Sequence, residues 1–221
     1  MTAQARWAVR VLGAAATIVA AAWLLADPAG RLLATPTIGS FDKDVAVALH
    51  AHATAIAIGS MSVVSHVHGT IGILSMSALL AAWLSWKGMR PALPLLAAAV
   101  PGGLLLNVAV KHAIHRARPE TLYAAERLAT FSFPSGHTTG ATVFYGFLVA
   151  LLWSRFHAPA ARAALLAMAA GMLALVAASR VMLGVHYPSD CVAAMTEGLL
   201  WLAVCLVGRR AGLAAGARFA G

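Results

Sequence analysis

Six mostly apolar stretches punctuate this chain, at residues 9–26, 71–86, 94–110, 137–153, 163–178 and 191–207. A helix crosses a hydrocarbon core with about 17–25 mostly apolar residues. The pattern therefore predicts an all-α, polytopic membrane bundle of six transmembrane helices, formed by a single domain over residues 1–221. Arg6 and Arg10 flank the first stretch, and no clean small-x-small cleavage site precedes Asp27-Pro28. That segment is expected to act as an uncleaved signal anchor. Residues 27–69 break the rhythm. Pro28, Gly30, Pro36 and Gly39 interrupt the chain, and Phe41-Asp42-Lys43-Asp44 reads as a helix start with acids in its first turn. Residues 45–64 are apolar but carry His50, His52, Thr54, Gly59 and Ser60. One or two short interfacial helices between spans 1 and 2, or helices packed beneath the functional face, are expected here. A further span is the alternative.

The polar breaks between the later stretches are unequal. Lys87–Pro91 and Arg155–Arg162 are plain turns, the latter holding His157. Lys111–Pro119 is the densest cationic run in the chain. Pro134-Ser135-Gly136-His137 opens the fourth span. Ser179–Asp190 lies between spans five and six and holds Arg180, His186 and Asp190. In a chain that is 61% hydrophobic and only 10% charged, ionisable groups at the edge of a bilayer read by default as a functional site.

The net charge of +9, from 16 Lys+Arg against 7 Asp+Glu, would suggest nucleic acid in a soluble protein. Here basic residues flank spans and set orientation, so the bilayer is the expected partner and nucleic acid is not. Cys191 and Cys205 share the last apolar run, about 21 Å apart along a helix. They cannot pair with each other there and read as structural. Alanine abundance suits close helix packing in lipid, and the six Trp suit interfacial belts.

Six spans place both termini on one side. Arg6, Arg10, Lys87, Arg90, Arg155, Arg162, Arg209, Arg210 and Arg218 fall on that side. Arg31, Lys43, Lys111, Arg116, Arg118, Arg127 and Arg180 fall on the other. Setting aside Lys111, Arg118 and Arg180 as chemical groups leaves nine against four. That balance expects cytoplasmic termini, with the three polar clusters sharing the outer face of a bacterial inner membrane.

Three cations at one face suit a phosphate dianion. Arg118 and Arg180 offer planar forks, and Lys111 a mobile point charge. Ser135, Gly136 and His137 lie where a helix begins, so unpaired amides and the helix dipole can hold an anion. Gly136 admits close approach, and the Ser135 hydroxyl can donate to a phosphoryl oxygen. These electrostatics need no metal or cofactor. Asp190 can fold back to the His186 imidazole four residues away, fixing its tautomer and exposing Nε2. Two histidines in distinct surroundings supply one nucleophile and one proton donor.

Three motifs are complete and in order: Lys-x6-Arg-Pro (Lys111 to Pro119), Pro-Ser-Gly-His (134–137) and Ser-Arg-x5-His-x3-Asp (179–190). They resemble the signatures of the type-2 phosphatidic acid phosphatase family, within the superfamily of acid phosphatases and vanadium haloperoxidases. The resemblance covers about residues 105–195 closely. It implies a helical bundle and a metal-independent lipid phosphate phosphatase. In that pattern His186 attacks phosphorus and forms a phosphohistidine, Asp190 orients it, and His137 protonates the leaving oxygen. Lys111, Arg118, Ser135, Gly136 and Arg180 bind the phosphoryl oxygens. The expected substrate is a membrane lipid mono- or diphosphate at the outer face. Undecaprenyl diphosphate is favoured over phosphatidic acid, phosphatidylglycerophosphate or a lipid A phosphate. A lipid phosphotransferase on the same scaffold is the alternative, and a non-enzymatic membrane protein a third reading.

Other polar residues stay open. His50, His52, His66 and His68 form two His-x-His pairs that could hold a metal or make interfacial contacts. His112 and His115 adjoin the phosphate cluster. Arg116, Glu120, Tyr123, Glu126 and Arg127 could choose the head group.

Overall fold

The computed structural model describes residues 2–51, 53–119 and 130–217. Among them are nine α-helices and no strand: α1 (Ala3–Leu24), α2 (Ala26–Leu33), α3 (Pro36–Ala51), α4 (Ala55–Val67), α5 (Thr70–Trp86), α6 (Leu93–Ile114), α7 (Gly136–Leu152), α8 (Pro159–Met182) and α9 (Pro188–Ala217). Six of these cover the six apolar stretches. Among the described residues, four segments are long and apolar enough to cross a membrane, Gln4–Leu24, Arg90–Ile114, Pro159–Met182 and Pro188–Arg209, and the bent pair α3–α4 would make a fifth if it counts as one span. α5 and α7 are shorter, with 17 residues each, about 25 Å at 1.5 Å per residue.

α7 is the axis of the bundle, packed by α5, α6, α8 and α9. The core around it includes Ile73, Val100, Val143, Phe147, Trp201 and Cys205. In lipid, apolar contact alone does not drive helices together, so close packing and interhelical hydrogen bonds must. The Trp201 ring lies against α6 where a Cβ on Gly102 or Gly103 would sit 3.1 Å from it, and its Nε1 donates to the Ala98 carbonyl at 2.9 Å. Trp7 Nε1 donates to the Cys205 carbonyl at 3.1 Å, fixing α1 to α9. Cys191 and Cys205 are both buried and unpaired. Large side chains such as Leu79, Leu105, Met168 and Leu200 are exposed, as a lipid-facing surface requires. α8 is apolar and exposed along most of its length. Its buried residues, Val176, Ser179, Arg180 and Val181, gather at its C-terminal end.

Three helices connect α1 to α5, and two of them, α3 and α4, cover most of residues 45–64. α3 and α4 bend by 119° at their junction, and both pack on α8, with α3 also touching α9. They therefore pack beneath the site. The reason is visible at Asp42, a carboxylate on α3 that is 1% exposed and must reach a cation. The α4–α5 junction is tight. A Cβ on Gly72 would stand 2.0 Å from the Val67 carbonyl oxygen, a backbone atom that cannot swing away. Gly72→Ala is expected to destabilise the protein by about 1–3 kcal/mol, read as earlier thermal unfolding in detergent; an unchanged midpoint would contradict this packing.

Candidate active site

The site sits where α6 and α8 end and α7 and α9 begin. Lys111 lies in the last turn of α6. His115 follows in the left-handed conformation (φ 54°, ψ 29°), its amide capping the Lys111 carbonyl at 3.1 Å, and the chain leaves the helix there. Lys111 is 8% exposed; its Nζ donates to the carbonyls of Phe131 at 2.8 Å and Ser132 at 3.4 Å. Arg118 is held by the same segment: Nε donates to the Thr130 carbonyl at 2.7 Å and Nη2 to the Thr130 hydroxyl at 2.9 Å. These carbonyl and hydroxyl partners hold both side chains in place beside the site.

Ser135 is the N-cap of α7, with its own hydroxyl making no cap hydrogen bond. Its amide donates to the Asp190 carbonyl at 3.2 Å, which binds α7 to α9 at this end. Gly136 begins the helix, and a Cβ there would stand 3.2 Å from Asn107 Oδ1. Helix geometry leaves the first amides of α7 without intrahelical partners, under the positive end of the dipole. His137 Nε2 lies 3.5 Å from the place a Gly69 Cβ would occupy. The charges that reach its ring belong to Arg180, His186, Arg118 and Lys111.

Arg180 is fully buried at the end of α8 and donates from Nη1 to the Ser65 hydroxyl on α4. Its carbonyl accepts from the amides of Val185 at 3.2 Å and His186 at 3.3 Å, which folds the connection to α9 back on itself. His186 is 2% exposed. Its Nδ1 faces Asp190 Oδ2 at 3.3 Å, and its Nε2 faces Arg118 Nη1 at 3.2 Å. An acceptor at Nδ1 and a donor at Nε2 fix the neutral ring with its proton on Nδ1 and its lone pair toward Arg118. Burial pushes the His186 pKa down to about 4, with Asp190 pulling the other way and Arg118 and Lys111 adding to the fall. The free imidazole is thus the resting form at neutral pH. If it is the reacting group, kcat/KM should fall only as pH drops through about 4, not near the usual histidine value of about 6.5. A pH–rate profile on a substrate with no ionisation in that range checks this.

All eight motif residues singled out in the sequence, Lys111, Arg118, Ser135, Gly136, His137, Arg180, His186 and Asp190, meet at this one end of the bundle. Several further residues join them. The Ser132 hydroxyl donates to Asp190 Oδ2. Arg116 points inward: Nη1 donates to Asp190 Oδ1 at 2.6 Å and Nη2 to Asp42 Oδ2 at 2.7 Å. Burial opposes its charge, but the Asp190 and Asp42 carboxylates outweigh that and raise its pKa. Under the α7 start, Asn107 Nδ2 donates to Glu197 Oε2 at 2.8 Å, to the Thr139 hydroxyl at 3.0 Å and to the Pro134 carbonyl at 3.4 Å. Of these, Arg116 and Asp42 were noticed in the sequence for other roles, and Asn107 and Glu197 could have been found as polar residues inside apolar stretches.

His66, His68, His112 and His115 have local partners. His66 Nδ1 bonds the Ser62 carbonyl at 3.0 Å; His68 bonds the Val64 carbonyl and the Tyr145 hydroxyl, both at 2.8 Å. His112 bonds the Val108 carbonyl at 2.8 Å, and the His115 ring packs edge-on against Phe131. Glu120, Tyr123, Glu126, Arg127 and His52 lie outside the described residues.

The PAP2 superfamily model matches residues 91–211. Lipid A 1-phosphatase of Rhizobium johnstonii is 36% identical over 143 residues, which is 60% of this chain and 52% of that protein. Phosphatidylglycerophosphatase B of Bacillus subtilis is 35% identical over 97 residues, 43% of this chain and 47% of that protein. The chain spans about half the length of the curated relatives it matches. The fold is similar to that of the transmembrane PAP2 type phosphatidylglycerolphosphate phosphatase from Bacillus subtilis, with a TM-score of 0.71 over 85% of this chain and 93% of that chain at 24% identity.

Proposed function

Because the chain belongs to the PAP2 superfamily, we propose that it is a metal-independent phosphatase of membrane lipid phosphates that works through a phosphohistidine on His186. The observation that carries this reading is the His186 ring, with Nδ1 toward Asp190 and Nε2 toward Arg118. A phosphoryl group seated among Lys111, Arg118, Arg180 and the α7 amides would present its phosphorus to the Nε2 lone pair. Nε2 attacks in line, the P–N bond forms and the P–O bond to the lipid breaks. His137 gives its proton to the departing oxygen. The phosphate's own charge supplies the counter-ion an imidazolium needs among these cations. In the second step His137 takes a proton from water, the water oxygen attacks phosphorus, and the P–N bond breaks to release inorganic phosphate.

An acid role for His137 separates substrates by leaving group. His137→Ala is expected to slow hydrolysis of alkyl and lipid phosphates by about 10^2–10^4-fold. In the first turnover it should slow release of p-nitrophenolate from p-nitrophenyl phosphate far less, since that leaving group departs without a proton, whereas the later water step slows for every substrate. Equal losses in the first-turnover rate on both would remove His137 from the acid role.

Outward orientation taken alone favours a polyprenyl diphosphate. The names of the relatives favour a glycolipid or glycerolipid phosphate, and these take first place as the proposed substrate. The inner membrane with the site facing the periplasm remains the proposed setting, supported by nine cations against four across the two faces. Intact spheroplasts should then release phosphate from an impermeant substrate; release only after lysis would reverse the orientation. Purified protein in EDTA, given lipid A, phosphatidylglycerophosphate, phosphatidic acid and undecaprenyl diphosphate, tests class and substrate together. Phosphate release that survives chelation is expected. Loss of turnover in EDTA would overturn the reading, and label passing to another lipid would make the protein a transferase.

A further inference from the structure

Asp42 belongs to no motif and lies outside the residues that the family model matches. It is nevertheless among the most buried charged groups of the described residues. Its Oδ2 accepts from Arg116 Nη2 at 2.7 Å and from the Ser189 hydroxyl at 2.6 Å, and its Oδ1 accepts from the Ser189 amide at 2.9 Å. It thus caps the start of α9 from α3, at the residue beside Asp190. Arg116 closes the circuit by donating from Nη1 to Asp190 Oδ1 at 2.6 Å and to the Ser189 hydroxyl at 2.7 Å. Its guanidinium also lies 4.1 Å over the Tyr187 ring. One half-buried cation is shared by two buried carboxylates, one of which faces the His186 ring.

The division at Asp190 matters. Arg116 occupies Oδ1, which leaves Oδ2 for Ser132, the Tyr187 amide at 2.9 Å and His186 Nδ1. A carboxylate held on one oxygen cannot rotate away from the imidazole. Asp42 in turn prevents the long Arg116 side chain from leaving Asp190. The same face of α3 forms one wall of a cavity of 740 Å³ whose lining includes Lys43, Val47, Arg116 and His186. The helix that shapes this cavity therefore also anchors the group that aims the nucleophile.

We propose that Asp42 and Arg116 are positioning residues for the reacting histidine: the Asp42–Arg116 ion pair fixes Asp190, and through it His186, and so couples the placement of α3 to phosphoryl transfer. The proposal rests on the reading of His186 as nucleophile. An ion pair that merely staples α3 to α9 is the competing account, and electrostatics separates the two. His186 is faced by Asp190 of α9, Lys111 of α6, His137 of α7 and Arg180 of α8, and by Arg118 and Arg116 of the α6–α7 connection, with Asp42 of α3 behind Arg116. Removing the positive charge at Arg116 favours the imidazolium. Removing the negative charge at Asp42 disfavours it.

The test compares Arg116→Gln, Asp42→Asn and the double variant, in purified full-length protein on one lipid phosphate. Each single variant should lower kcat on the order of 10- to 100-fold while KM moves little. The acid limb of kcat/KM should move up in R116Q and down in D42N, by roughly half to one pH unit. Because Asp42 acts through Arg116, the double variant should lose no more than R116Q alone. Asp42→Glu and Arg116→Lys, with gel-filtration profiles matching the wild type, guard against simple misfolding and should recover part of the activity. Wild-type kcat in D42N, multiplicative losses in the double variant, or an unmoved acid limb with lower thermal stability would each reduce the pair to a staple. His186→Ala assayed alongside separates the two levels. If it is inactive and D42N is normal, only the coupling falls. If it stays active, the nucleophile reading and the coupling fall together.

Discussion

His186→Ala should reduce turnover of a lipid phosphate by at least about 10^4-fold, the scale seen when a covalent nucleophile is removed from an enzyme whose binding groups remain. The variant keeps Lys111, Arg118, Arg180 and the α7 amides, so the substrate should still bind. On the proposed mechanism, what it loses is the atom that attacks phosphorus. Phosphate hydrolysis without it needs water in the same place, with no group fixed to align it. The fold should survive, because the ring is small and the elements around it are held together independently by Arg116, Ser132 and the Arg180 carbonyl. Steady-state phosphate release, normalised to correctly eluting protein, checks this. Residual activity above about one per cent of wild type would be incompatible with a nucleophilic His186.

Asp190→Asn comes next, with an expected loss of about 10^3–10^4-fold, by the logic of an imidazole held in the wrong tautomer. The amide keeps the shape of the carboxyl but removes its charge. Asn can present an NH2 group to Nδ1, which would move the ring proton to Nε2 and hide the lone pair. It also strips Arg116 of one of its two anions, leaving that cation on Asp42 alone. The loss should therefore appear in kcat, accompanied by a measurable drop in thermal stability. A variant with near-normal kcat would show that the His186 tautomer is fixed by something other than Asp190.

How far the sequence disclosed these roles depended on cost. Lys111, Arg118, Arg180, His186 and Asp190 stood out because ionised groups beside apolar runs are expensive, and each proved to be at one end of one bundle. Gly136 was legible because a helix start bearing glycine admits an anion. Ser132, Ser65 and Thr139 were not legible, since small neutral hydroxyls inside or beside a membrane helix usually bond their own backbone. Asp42 was read as an acid in the first turn of a helix. Its actual partner, Arg116, lies 74 residues away in the chain, a relation that only the packing of α3 on α8 and α9 creates. Arg116 itself was read as facing the head group. The two carboxylates that draw it inward come from different helices, and no local spacing reports that. The same holds for the 119° bend between α3 and α4. Local signals placed a break there, but its angle follows from burying Asp42 and Ser65 against charged partners on other elements.

A covalent phosphohistidine on His186 can be detected directly. Purified protein mixed with a lipid phosphate labelled on phosphorus, then quenched in alkali within one turnover, should carry label on a single peptide containing His186. That label should be stable to alkali and lost in acid, as a phosphoramidate is. His137→Ala, slowed in the water step, should hold more of it when the substrate has a good leaving group, and His186→Ala should hold none. Label absent from wild type and His137→Ala under conditions of rapid turnover, or attached to another residue, would contradict the account.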